Sequence, residues 1–230
     1  MKVLPDSWGL EVFKDDLVYL EAALLASEAT QDLAPAVAAA IEDLSVVEAK
    51  WPAVRRVSVQ AAARVARADS DLDETLRDAH SALLAEVRQD RSHPAFRAVY
   101  DSPISDIVRH ALPKQVVVAR SIADKLGLSV VPEPVRTKHV PPIRAAIARG
   151  EDALERRREA DVARMQLRVD ERAVRDETNA VRTSIYSALL LRAPSAKTSK
   201  AWADGFFARH TRSPSVEDVT DEPTPAPAPE

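Results

Sequence analysis

The sequence predicts an all-α protein, an elongated helical bundle or array with one very long C-terminal helix. Aromatic residues make up only 4% of the chain and Gly only four of 230 residues, while Ala, Arg, Leu and Val abound, a composition of helices rather than sheets. The one notable β-branched run, Val116 to Val118, sits in a helical context. Residues 141–192 open on Pro141-Pro142, pass Gly150, and then meet no Gly or Pro until Pro194. Read as a single helix, that span is about 75 Å long, more than one small core can cover.

The elements follow in order. Lys14 to Thr30 reads as an amphipathic helix with Leu17, Leu20, Leu24 and Leu25 on one side and Asp15 and Asp16 in its first turn. A second helix starts at Pro35 and runs through Val37, Ile41, Leu44 and Val47, with a kink or restart at Trp51-Pro52, to about Ala68. Asp69-Ser70-Asp71 reads as a cap, opening a further helix from Leu72 to about Arg91. After a loop come Ile104 to Leu112, Pro113 to Leu126, a Pro-bearing loop from Ser129 to Val140, and the long helix 141–192. A short aromatic helix, 195–210, and an acidic, Pro-rich tail, 211–230, expected to be disordered, close the chain.

Four matches in the same order stand at nearly one offset. Pro35 to Ile41 matches Pro142 to Ile147 at 107, Asp73-Glu74-Thr75 matches Asp176-Glu177-Thr178 at 103, Ser81 to Leu84 matches Ser187 to Leu190 at 106, and Phe96 with Ser102-Pro103 matches Phe207 with Ser213-Pro214 at 111. They suggest a duplicated unit of roughly 105 residues, against the alternative of Ala-rich compositional bias. The expected division is residues 1–103 and 104–210.

Chemistry is sparse. With no Cys, the chain has no disulfide, thiolate nucleophile or Cys-type metal site. The four Gly, at 9, 127, 150 and 205, are isolated and form no phosphate loop. None of the five His belongs to a bundle metal motif; the nearest pairing is Asp106 with His110 on one expected helix. No catalytic residue, cofactor or metal is expected. Neither a secretory leader nor a membrane-spanning run is read, so a cytoplasmic, non-enzymatic interaction protein is expected: a scaffold, adaptor or assembly subunit binding a protein partner or a second copy.

Two segments carry the partner-binding expectation. The middle of the long helix, Glu151 to Glu177, holds nine acidic residues and seven Arg, yet a thin apolar line survives in Leu154, Val162, Met165, Val169 and Ala173. It reads either as the packed side of a solvated helix or as a seam for another chain. Trp202, Phe206 and Phe207 place three of the ten aromatic residues within six positions, to plug the end of the bundle or to dock in a partner's groove.

The alternative is a nucleic-acid-associated protein. Val118 to Ser129 resembles the first helix and turn of a helix-turn-helix DNA-binding domain, with Ile122, Ala123, Leu126, Gly127, Leu128 and Ser129 at packing and turn positions. Residues 107–149 are locally +6, with Arg109, Lys114, Arg120, Lys125, Arg136 and Lys138 among the cations, while the rest of the chain carries −10. Pro132 and Pro134 fall where that family has its recognition helix, and no helix is expected there.

Overall fold

The structure, a computed structural model, describes residues 3–193 and 199–208. Every element among them is helical: α1 Leu10–Leu25, a 3-10 turn Gln31–Leu33, α2 Ala34–Glu48, α3 Trp51–Glu86, α4 Pro94–Val99, α5 Ile104–Ile107, α6 Leu112–Leu126, α7 Glu133–Arg192 and α8 Ser199–Asp204. The tail 211–230 and residues 195–198 and 209–210 of the expected short helix lie outside the described residues.

Tertiary packing overrides three local readings. The first helix begins at Leu10, because Leu10 and Phe13 are buried, so Asp16 is a mid-helix residue with no exposure and not a first-turn charge. No break occurs at Asp69 to Asp71: α3 keeps Ala61, Ala68, Leu72, Leu76, Ala79 and Leu83 buried in one continuous stripe, and the modest propensity penalty of three polar residues is smaller than the gain from burying three Leu. The long helix starts at Glu133, eight residues before the expected 141. Pro134 falls in its first turn, where a missing N–H is tolerated. Pro141 and Pro142 are inside it and exposed, as are Thr137 and Lys138, whose carbonyls lose their donors and face water. On the opposite side Val135, Ile143, Ala146 and Ile147 are buried and hold the helix through the prolines.

The compact units also differ from the sequence halves divided at residue 103. The first is 1–51 with 167–230, and the second is 52–166. In the first, α1 packs along α2, with Phe13, Leu17, Leu20 and Leu24 fully buried beside Val37 and Leu44. The Thr30 hydroxyl closes the turn between them by donating to the Leu24 carbonyl at 2.9 Å. The end of α7 contributes Leu167, Val174, Ile185 and Leu189, and α8 with the residues after it contributes Ala203, Phe206 and Phe207.

In the second unit one apolar cluster joins α3, α4, α6 and the first half of α7 through Leu76, Leu83, Phe96, Leu112, Leu126 and Ile143. There α3 and α7 run antiparallel. Ala68 and Ala153 line one recess and Ala61 and Ala160 the next, so seven residues forward on α3 is seven back on α7. Gly150 is a packing requirement: a Cβ there would stand 3.0 Å from Val116 Cγ2 and 3.4 Å from Leu112 Cδ1 of α6.

Candidate interaction surface

The packing positions of α7 are Ala146, Gly150, Ala153, Ala160, Leu167 and Val174, spaced by threes, fours and sevens. Two residues along a helix turn about 200°, so Val162, two beyond Ala160, and Val169, two beyond Leu167, point away from that packing. Val162, Met165 and Val169 are 65%, 68% and 61% exposed and lie on one outward stripe of α7. Leu154 is not with them. It is partly buried against the core of the second unit, while Ala173 is exposed. The apolar line read from the sequence therefore divides between two faces.

Glu155, Arg158, Arg172 and Asp176 continue the outward stripe at both ends, and all four are exposed. Arg158 pairs with Glu155 at 2.8 Å. Arg172 and Asp176 form no ion pair among the described residues.

Trp202, Phe206 and Phe207 are elsewhere, in the first unit. Phe206 and Phe207 are buried, and the half-buried Trp202 meets Phe206 edge-on at 4.9 Å. Phe207 is edge-on to Tyr186 at 5.7 Å, and the Arg182 guanidinium stands 5.5 Å over its ring. Arg182 is the centre of a buried polar network that the sequence reading missed. Its Nε donates to Asp16 Oδ2 at 2.7 Å and its Nη1 to Asn179 Oδ1 at 3.3 Å. Asn179 in turn bonds both the N–H and the carbonyl of Leu4 at 3.0 Å, pinning the entry to the chain onto α7. Burial pulls the Arg182 guanidinium below its ordinary pKa, and the Asp16 carboxylate opposes that pull. The signal for this network was an Asp inside an otherwise apolar helical stripe.

No known protein family, curated protein or solved structure matches this chain.

The expected basic face is partly neutralised. Arg120 pairs with Glu151, Lys125 with Asp101 at 2.7 Å, and Arg144 with Asp124 at 3.4 Å. Arg109, Lys114 and Lys138 are exposed, whereas Arg136 has its Nε buried without a hydrogen-bond partner. A helix does follow the turn after α6, in contrast to the expectation that Pro132 and Pro134 would prevent one, but it starts six residues after Gly127, a longer connection than the three or four residues of that motif. Asp106 and His110 do not share a helix, since α5 ends at Ile107. Among the described residues no group of three His, Asp or Glu could hold a metal ion, and no helix is long and apolar enough to cross a membrane.

The second unit holds its own polar cluster. The Gln115 amide, with no exposure, donates to Asp73 Oδ1, and Arg77 bonds the other Asp73 oxygen at 3.1 Å. Gln115 Oε1 and Asp69 Oδ1 are buried without a donor. Burial, and then the neighbouring Asp73 charge, raises the Asp69 carboxyl above its ordinary 3.8. A raised carboxyl is a penalty absent below 3.8 that grows as pH climbs through the raised value. Asp69→Asn keeps the shape, removes the charge and supplies a donor. Solvent screens the partly exposed Asp69 charge, so the expected gain at neutral pH is only about 0.5 kcal/mol, a rise of roughly 1–2 °C in melting temperature. The gain should vanish when melts are run well below pH 3.8, and a gain that persists there would refute the assignment.

Nearby, His80 meets Phe96 at 5.4 Å and Tyr100 at 5.0 Å, both edge-on. Desolvation, aided by the Arg91 charge, lowers the His80 pKa, and burial pushes the Tyr100 hydroxyl well up.

Proposed function

We propose that this chain is a non-enzymatic helical interaction protein, a scaffold or assembly subunit with the cytoplasm as its expected setting, which presents the outward face of α7 to a protein partner. The observation that carries this reading is the stripe of Val162, Met165 and Val169, each more than 60% exposed on one helix whose own packing uses the other side. Met165 is a suitable central anchor because an unbranched, polarizable side chain adapts to an irregular partner surface. Met165→Glu places a charge in the stripe without touching the core. Its melting temperature should equal that of wild type, while protein partners captured by the wild-type chain should be lost. Retention of every partner would sink the reading. Nucleic-acid binding through residues 107–149 is the weaker alternative, since Arg120 and Lys125 are already engaged by carboxylates. It demands duplex binding whose affinity falls steeply with salt.

The same reading includes two architectural proposals. The antiparallel α3 and α7 of the second unit, with Ala61 and Ala68 on one and Ala153 and Ala160 on the other each a seven-residue repeat apart, are read as a coiled coil. The duplication of roughly 105 residues is supported by ring contacts. His80 with Phe96 in one unit and Tyr186 with Phe207 in the other are both edge-on, and their members stand 106 and 111 residues apart, within the range of the sequence offsets. Thr75 and Thr178, one of the matched pairs, each bond back to the carbonyl four residues earlier.

A further inference from the structure

Two arginines that line one recess of the second unit have no carboxylate of their own. The recess lies between α3 and α7, has a volume of about 470 Å3, within the range of small-molecule sites, and has the buried Ala68 and Ala153 at its floor. Arg64, Arg67 and Asp71 of α3 and Arg149 and Asp152 of α7 surround that floor. Both carboxylates are already matched along their own helices, Asp71 by Arg67 at 2.9 Å and Asp152 by Arg156 at 3.7 Å. Arg64 and Arg149 are exposed and form no ion pair or hydrogen bond among the described residues. Once the internal pairs are made, two cations and no anion remain.

The antiparallel packing sets where those cations stand. Arg64 comes four residues before Ala68 on α3, and Arg149 four before Ala153 on α7. Residues four apart share a helix face, so each Arg lies beside the floor, and opposite chain directions put them at opposite ends of it. Eight residues of helix separate the two levels, about 12 Å along the axis. We infer that the recess binds a small linear dianion: an oxyanion at each end, one on Arg64 and one on Arg149, and an apolar chain between them over the alanines. A guanidinium meets a carboxylate or phosphate oxygen pair with two parallel N–H donors, which suits both ends. A compact single anion would draw both side chains over Ala68 and Ala153, whose methyl groups offer it no donor. The next recess along, at Ala61 and Ala160, is only about 220 Å3 and adds no second free cation, because Arg156 there bonds Glu159 at 3.4 Å.

Suberate, octanoate and inorganic phosphate, titrated calorimetrically into the full-length chain at low ionic strength, test this. Suberate and octanoate share one chain length and differ in the second carboxylate, so suberate should bind roughly fivefold more tightly. Arg64→Gln and Arg149→Gln should each abolish that ratio, whereas Arg164→Gln, on α7 but outside the recess, should keep it. All three side chains are exposed, so the variants should melt like wild type. Phosphate bound as tightly as suberate would overturn the two-ended ligand. The site itself would fall if suberate failed to bind or bound no better than octanoate. It would fall equally if the ratio survived both recess substitutions, or vanished in Arg164→Gln as general charge attraction requires.

Discussion

Asp16→Ala is expected to cost the first unit about 3–5 kcal/mol, the characteristic penalty for removing one member of a buried ion pair. Asp16 has no exposure and Arg182 only 2%, and the carboxylate receives the guanidinium Nε at 2.7 Å with a second, longer bond from Nη2 at 3.5 Å. Deleting the carboxylate leaves a cation that cannot reach water, held beside Asn179 and under the Phe207 ring. Most of the loss is this stranded charge rather than the intrinsic worth of the pair, and the two can be separated. The double replacement Asp16→Leu with Arg182→Met removes both charges and keeps apolar volume, so it should recover most of the stability that Asp16→Ala loses. Urea melts followed by circular dichroism measure both. A double variant as unstable as the single one would show that the pair, with its bonds to Asn179, is itself what holds the unit together.

Phe207→Ala should be comparably damaging, at about 3–5 kcal/mol, because a ring that is 6% exposed leaves a cavity next to Tyr186 and uncovers Arg182. For a chain of this size that is a fall of several degrees in melting temperature, at roughly 2–4 °C per kcal/mol. Phe96→Ala should cost a similar amount, since Phe96 is 7% exposed between His80 and Tyr100. Met165→Ala, on an exposed site, should not measurably alter the melt. If Phe207→Ala melts like wild type, the segment after α8 is not part of the core, and the docking role for Trp202, Phe206 and Phe207 regains its claim.

Helix class was legible because it is a local property. Few Gly, few aromatics and long runs of strong helix formers bias each residue toward the same backbone well, whatever it later packs against. The very long helix was legible for the same reason. Proline and cap signals were less dependable. Pro141, Pro142 and the Asp69 to Asp71 cluster each have a local cost, but burial of Ile143 and Ile147 in one helix, and of Leu72 and Leu76 in the other, outweighs it.

The candidate surface was visible only as a list of residues, without its face. In α7 the large apolar side chains Val162, Met165 and Val169 are outside, while Ala153, Ala160 and Gly150 are inside, and at Gly150 the Val116 and Leu112 side chains of α6 leave no room for anything bigger. Residue size along one helix thus pointed to the wrong side, and only the neighbouring helices decide which stripe is packed. The partner of Asp16 was out of reach: the apolar stripe around Asp16 marks it as a buried polar group, but Arg182 lies 166 residues away in the chain, and nothing local says which cation meets it. What the amino-acid sequence determined by itself is therefore the backbone state. Which face of each helix is covered, and which charge is paired, depends on contacts between residues far apart in the chain, and those exist only once the tertiary structure has brought them together.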